Sequence, residues 1–493
     1  MSKRDDQAPY WRSAIASRAH VVIDAADYYA AMRAAMLKAE QRIMLVGWDF
    51  DTRIPLTFKR RTAGDPPKRL GEFILWLAER RPELEIRILK WNFGAMKLLG
   101  RGRAILDVAR WAGRKNIDFK LDSAHPFGCS HHQKIVVIDD QFAVCGGIDM
   151  TQDRWDTRAH LDDDRHRRRP NGTPYGPWHD ATMLVEGEAA AALAELARDR
   201  WVVAGGEAMK PCVPSPTTAW PDHVDAEFRN VLIGIARTRA AHQEHGAVRE
   251  IERLFLDQIA AAKHFIYAEN QYFASRKIAE AIALHMAEPD PPEIFIVAPQ
   301  TADGWLEQKA MDSARVQLLR AIGEKDHRDR FSIYCPVTSG GAPIYVHSKL
   351  MIVDDCILRV GSANMNNRSL GLDSECDLSI KAANDADAAT IAALRISLLA
   401  EHIGLDAETT AKRLCRLGSM RALADSVTAG RRLVRLDLKD LSSDEQALAD
   451  NAVLDPEKPE DLFEPMTSSG LFSASRVLRA PRRKRKGARA ESP

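Results

Sequence analysis

Two stretches of this chain carry nearly the same residues. Positions 131–139 read HHQKIVVID and positions 346–354 read VHSKLMIVD, so His-x-Lys-x-x-x-x-Asp occurs as His132, Lys134 and Asp139 and again as His347, Lys349 and Asp354, 215 positions on. In extended chain, residues two apart share a face, which puts each His beside its Lys. Asp139 and Asp354 have the opposite parity and close the strands, which points to fixing a turn or a local pair rather than to direct chemistry. If the two copies face one cleft, they supply two imidazoles and two ammonium groups. Such a set suits attack on a phosphodiester: the lysines neutralise its oxygens and the charge of a five-coordinate transition state. One imidazole attacks phosphorus and the opposite imidazolium protonates the leaving oxygen. A covalent phosphohistidine results, with no metal or other cofactor required, so chelators are expected to leave turnover unchanged.

Each imidazole then needs a carboxylate on its far nitrogen to set its tautomer and charge. Asp180 in WHDATMLV and Glu375 in SECDLSI are matched acids, each opening the apolar strand after a motif. The expected pairing is crossed, Glu375 with His132 and Asp180 with His347. Small residues follow each motif, GGID at 146–149 and GSAN at 361–364. Gly147, Asp149, Ser362 and Asn364 are therefore candidate phosphate-binding positions, by backbone N–H or side chain.

The elements that must hold these groups also repeat. Helical spacing in AADYYAAMRAAMLKAE leads to the apolar strand RIMLVGWDF, and VREIERLFLDQIAAAKH leads likewise to FIYAENQYF. His132 precedes Gly146 by the same 14 positions that separate His347 from Gly361, and Asp180 precedes Gly187 by the seven that separate Glu375 from Ala382. The pattern predicts a duplicated α/β unit with mixed sheets flanked by helices, the halves related by a pseudo-twofold axis with the site between them. Expected boundaries are an N-terminal extension at 1–20, a first half at 21–205 and a Pro-rich linker or crossover at 206–245. A second half at 246–405, a helical or irregular region at 406–475 and a basic disordered tail at 476–493 complete the chain. The run HLDDDRHRRR at 160–169 is read as a solvated loop or a lid over the cleft. Trp48, Trp91, Trp155 and Trp178 are read as core or as cleft lining.

Composition sets the outer limits. The 493 residues carry a formal charge of +1, so no global charge recruits nucleic acid, and a nuclease is the weakest of the enzyme readings. Seven cysteines without a CxxC pair predict reduced thiols rather than a disulfide frame or a zinc site. No apolar run reaches the roughly 20 residues of a membrane span, and MSKRDDQAPYWRSAIASRAH lacks a signal-peptide core. A cytoplasmic or peripherally membrane-associated protein, or one exported without such a signal, is the expectation.

The doubled signature resembles that of the phospholipase D superfamily, and GWDFDTR, DRWDTRAH, PWHD, IYAENQYF and GSANMNNRSLGLDSE resemble the members that act on phosphatidylcholine-like lipids. The resemblance covers roughly residues 20–405. It implies catalytic positions at His132, Lys134, Asp139, His347, Lys349 and Asp354, with His132 as nucleophile and His347 as general acid. It implies a phospholipid at a membrane surface as substrate, cleaved to phosphatidate and free alcohol, with water or a small alcohol as acceptor. With both motifs in one chain, a monomer is expected. A cardiolipin synthase-type phosphatidyltransferase and a non-catalytic lipid-binding scaffold are the rival readings; intact His and Lys pairs argue against the scaffold.

Overall fold

The computed structural model describes residues 9–60, 62–92, 103–301 and 315–436. The first half contributes β1 (Arg12–Ile23), β2 (Arg42–Gly47), β3 (Glu85–Trp91), β4 (Ile117–Asp122), β5 (Ile135–Ile138), β6 (Phe142–Gly146), β7 (Trp178–His179) and β8 (Ala181–Gly187). The second contributes β9 (Phe228–Arg239), β10 (Val248–Arg249), β11 (Phe265–Asn270), β12 (Glu293–Val297), β13 (Phe331–Val337), β14 (Tyr345–Val346), β15 (Lys349–Val353), β16 (Ile357–Gly361) and β17 (Glu375–Lys381), followed by β18 (Arg432–Arg435).

All but β7 and β14 join one mixed sheet whose order reads the same outward from its centre. From β1 it runs β8, β6, β5, β2, β3, β4; from β9 it runs β17, β16, β15, β11, β12, β13, with β18 beyond. The halves meet where β1 and β9 pair antiparallel, Ala16 opposite Val231, and the pseudo-twofold axis passes between those strands.

The apolar runs are continuous because both faces of the strands are covered. Ile135 and Val137 of β5 share one core with Leu350 and Ile352 of β15, so the inner faces of the two halves pack together. Val136 and Ile138 face a second core shared with helices 25–38, 70–80 and 103–112. Met351 and Val353 face a third, shared with helices 250–261 and 276–286. Helices 188–203 and 385–403 pack against the shared core.

Two expected boundaries differ. The supposed N-terminal extension belongs to β1 from Arg12 on, and the supposed linker contains β9; these two strands are the middle of the sheet. Their charged, exposed positions, such as Arg12 and Arg229, dilute the apolar signal that marks the other strands. The expected basic tail lies outside the described residues. No single helix among the described residues is long and apolar enough to cross a membrane.

Asp139 and Asp354 require a correction as well. They follow β5 and β15 at the end away from His132 and His347, in tight turns where Asp139, Asp140, Asp354 and Asp355 have φ of 51–55°. Asp tolerates this left-handed backbone better than most residues. The Asp139 carboxylate accepts the backbone N–H groups of Glu40, Gln41 and Arg42, each at 2.7 Å. Asp354 accepts those of Lys263, His264 and Phe265 at 2.8–2.9 Å. Each aspartate thus ties its hairpin to the start of the neighbouring strand and belongs to the scaffold, outside the catalytic set. Asp354→Ala should lower unfolding free energy by about 2–4 kcal/mol, for three donors left without their charged acceptor, with kcat of the folded protein little changed. Urea unfolding beside activity checks this; a collapse of kcat at unchanged stability would return Asp354 to the chemistry.

Candidate active site

The regular part of β5 starts at Ile135 and that of β15 at Lys349, so each His sits on the approach to its strand rather than inside it. These approaches pair across the halves. His132 N–H donates to Ser374 O at 2.9 Å, and His347 N–H donates to His179 O at 2.7 Å. The exchange draws the start of each acid-bearing strand against the histidine of the other half.

The carboxylates follow. His132 Nδ1 lies 2.9 Å from Glu375 Oε2 and 3.0 Å from Oε1. His347 Nδ1 lies 2.7 Å from Asp180 Oδ2. Glu375 is further held by Ser369 Oγ at 2.7 Å and Ser362 Oγ at 2.5 Å, and Asp180 Oδ1 accepts Ala181 N–H at 2.8 Å. With Nδ1 engaged, each ring directs Nε2 outward as the reactive atom.

Both lysines fold back onto their own motif. Lys134 Nζ donates to His132 O at 3.0 Å and pairs with Asp149 at 3.3 Å. Lys349 Nζ donates to His347 O and, at 3.1 Å, to Gln271 Oε1. An ammonium has three donors, so two partners leave one on each for a ligand. The four groups feel one another's charge: Lys134 and Lys349 both lower His132 and His347, and Lys134 lowers Lys349.

The candidate phosphate positions divide. Gly147 spends its N–H on Ala181 O at 2.9 Å, and a Cβ there would stand 2.1 Å from Asp180 Oδ1, so this glycine makes room for the buttressing acid. Ser362 serves Glu375, and Asp149 serves Lys134 while accepting Trp48 N–H at 3.2 Å. These three serve Asp180, Glu375 and Lys134 and do not present free donors to phosphate. Asn364 is 4% exposed and its Oδ1 lacks a hydrogen-bond partner among the described residues.

Aromatic rings wall both sides. Trp48 stacks on Trp91 at 5.8 Å and meets His132 edge-on at 6.3 Å. Trp178 stacks on Tyr345 at 4.5 Å, lies 5.2 Å from His347 and carries the Arg154 guanidinium 4.1 Å above its ring. Trp155 lies instead against Phe58 and His166. Arg154, Gln271 and Ser369 were missed in the sequence; Gln271 and Ser369 sit inside the quoted IYAENQYF and GSANMNNRSLGLDSE, which is the signal that could have found them. The 160–169 run is pinned rather than lid-like at two points, since His160 and Arg167 are buried against Asp156.

Electrostatics divide the labour. Burial and the two ammonium groups push both imidazoles well below their ordinary range. Burial lifts Asp180 to about 6 and Glu375 to about 8, and lowers Lys349 to about 7. A carboxyl and an imidazole in contact titrate as one unit. Near neutrality the Glu375–His132 pair therefore keeps a second proton that the Asp180–His347 pair has released, so one pair can give a proton while the other takes one.

The comparisons with known proteins follow this geometry. Residues 35–281 match the family described as Phospholipase D, and residues 255–393 match Cardiolipin synthase, PLD-like domain. The chain belongs to the phospholipase D superfamily. It is 27% identical to phospholipase D alpha 2 of Oryza sativa subsp. japonica, over 75% of this chain and 63% of that one. Identity to phospholipase D alpha 1 of Arabidopsis thaliana is 27%, over 57% of this chain and 50% of that one. Phospholipase D A of Dictyostelium discoideum is 25% identical, over 78% and 35%. This superfamily member thus spans between about a third and two thirds of these relatives' lengths. The structure of a phosphatidylserine synthase from Haemophilus influenzae Rd KW20 shares the fold, with a TM-score of 0.53 at 12% identity over 83% of this chain and 94% of that one.

Tungstate, a dianion throughout the neutral range, should bind this cleft more weakly as pH rises through about 7, where Lys349 loses its charge, and again near 8, where the Glu375–His132 pair loses its second proton. Each linked proton contributes a fall approaching about tenfold per pH unit. Calorimetric titration in buffers of different ionisation heat checks both affinity and proton uptake; pH-independent affinity contradicts the assignment.

Proposed function

We propose that the protein is a phospholipase D that hydrolyses the distal phosphodiester bond of glycerophospholipids, phosphatidylcholine-like ones foremost, to phosphatidate and free alcohol. The observation that carries this reading is the crossed pair of His–carboxylate contacts with one lysine beside each, close enough that both ammonium groups act on both imidazoles.

His132 Nε2 attacks phosphorus, the P–N bond forms, and the P–O bond to the headgroup breaks. The departing oxygen takes a proton from His347, whose imidazolium is stabilised by Asp180. Water then attacks the phosphohistidine, giving one proton to His347, and the P–N bond breaks to leave phosphatidate and His132. Lys134 and Lys349 hold the non-bridging oxygens through both steps. A small alcohol in place of water gives transphosphatidylation.

The resemblance implies attack by His132, while the ligand-free charge distribution leaves the surplus proton on its side. The bound phosphodiester reorders this: its anionic charge offsets the lysines and favours a charged His347, and the surplus proton passes from the Glu375–His132 pair to His347, leaving His132 free to attack. The greater side-chain exposure of His132, 15% against 6% for His347, agrees with attack from the open side. Phe127, 81% exposed in the loop after β4, supplies an apolar contact for a lipid surface.

The match of residues 255–393 to a cardiolipin synthase-type domain favours a second reading, a phosphatidyltransferase with the same intermediate and a lipid hydroxyl as acceptor. Labelled phosphatidylcholine and phosphatidylglycerol, supplied separately, distinguish the two by phosphatidate or cardiolipin as product. His132→Ala should cut turnover by more than about a thousandfold. His347→Ala should spare a phosphatidyl ester with an activated leaving group relative to phosphatidylcholine. Brief exposure to lipid followed by acid-sparing digestion should place phosphate on His132; full activity in His132→Ala, or phosphate on His347 alone, overturns the scheme.

A further inference from the structure

A second cluster of chemically capable side chains lies behind the His347–Asp180 pair and takes no part in the steps above. Asp24, His160, His179 and Glu401 come from four distant segments and are all at most 5% exposed. Glu401 Oε1 stands 3.0 Å from His160 Nε2 and 2.9 Å from His179 Nδ1. Asp24 completes the figure, its Oδ2 3.5 Å from His160 Nε2 and its Oδ1 3.2 Å from His179 Nδ1. Ligand atoms around a tetrahedral zinc, with bonds of about 2.0–2.2 Å, stand roughly 3.3–3.6 Å apart. One of the four separations falls in that range, and the other three, 2.9–3.2 Å, are shorter and at hydrogen-bonding distance, so an ion would spread the ligand atoms slightly.

Three further observations point the same way. Asp24 Oδ2 is buried, makes no hydrogen bond among the described residues and faces the cluster, while His179 Nδ1 meets the Glu401 and Asp24 carboxylates. Each histidine spends its other nitrogen on a carboxylate: His160 Nδ1 meets Asp156 Oδ2 at 2.9 Å and His179 Nε2 meets Glu269 Oε2 at 2.8 Å. That arrangement fixes the tautomer of metal-ligating histidines elsewhere. Asp24 stands directly before helix 25–38 yet does not cap it with its side chain, and it holds φ of 66° and ψ of 153°. A non-glycine residue in that region costs about 1–3 kcal/mol, a strain that turns the carboxylate inward.

Asp24, Asp156, Glu269 and Glu401 bring four carboxylates to the cluster and its surround, while Arg158 on Glu401, Arg167 on Asp156 and the neighbouring Arg431 return three positive charges. The carboxylates outnumber the guanidinium groups, and cationic charge at the cluster, whether a dication or imidazolium protons, offsets the excess; despite burial the carboxylates hold His160 and His179 above their ordinary range.

We propose that Asp24, His160, His179 and Glu401 form a closed four-coordinate structural site for a divalent transition-metal ion of the zinc type. The ion ties the starts of helix 25–38 and β8 to the end of helix 385–403, and through His179 it stiffens the backbone carbonyl that holds His347 N–H. It has no open position and no contact with the reacting phosphorus.

Elemental analysis of the full chain, produced with zinc in the medium, tests this. About one equivalent should survive dialysis of the folded protein against EDTA and be released on unfolding. X-ray absorption at the zinc edge should show four N and O neighbours and no sulfur. In His160→Gln the retained metal should fall at least about tenfold. A folded wild-type protein without stoichiometric metal, both as purified and after refolding with zinc, overturns the proposal in favour of a protonated ionic network. So does metal retained in full by His160→Gln, or a sulfur-containing shell.

Discussion

The molecule depends on a contact that neither half can make alone. Each motif imidazole is oriented by an acid from the other half, His132 by Glu375 and His347 by Asp180. Because the acids open β17 and β8, and those strands flank the central β9 and β1, any displacement between the halves pulls both histidines off their carboxylates at once. The shared inner core and the antiparallel seam are therefore the precondition of the chemistry, since a buried imidazole without its carboxylate loses both tautomer and charge.

Pseudo-symmetry gives the two half-sites one plan, and the departures from it give them different work. Burial keeps a proton on Glu375 to about 8 although two serine hydroxyls favour its charged form, while Asp180, also raised by burial but held down by Lys349 and a backbone N–H, releases its proton near 6. Lys134 pairs with Asp149, whereas Lys349 donates to the neutral Gln271, and burial lowers it to about 7. Beneath His347 lies the ionic network around Glu269, which takes His179, His402, Tyr267 and Ser348. The first half has Val46 one residue before the end of β2, where Glu269 stands in β11. Two copies of one motif thus become two unequal partners through their neighbours.

Much of this was legible in the residues. Equal offsets from His to Gly and from acid to strand end encode the duplication, and matched acids opening matched strands encode the crossed pairs. What stayed hidden has a physical reason in each instance. β1 and β9 carry arginines at half-exposed positions, so their central place in the sheet leaves no continuous apolar run. Gly147 and Ser362 resemble phosphate-binding residues by type, and only packing reveals that one clears space for Asp180 and the other serves Glu375. Asp139 and Asp354 belong to the signature because every copy needs its hairpin tied down; parity alone told them apart from the His and Lys. The Asp24 cluster joins four segments with no shared spacing, which no local pattern can report.

The central claim is convergence of both halves on one phosphorus, and a crystal structure with bound vanadate tests it most directly. Vanadate should take five-coordinate geometry with one apical bond to His132 Nε2, the opposite apical oxygen within hydrogen-bond reach of His347 Nε2, and Lys134 and Lys349 both on equatorial oxygens. An anion held by the His and Lys of a single half, with the other pair turned away, would contradict it.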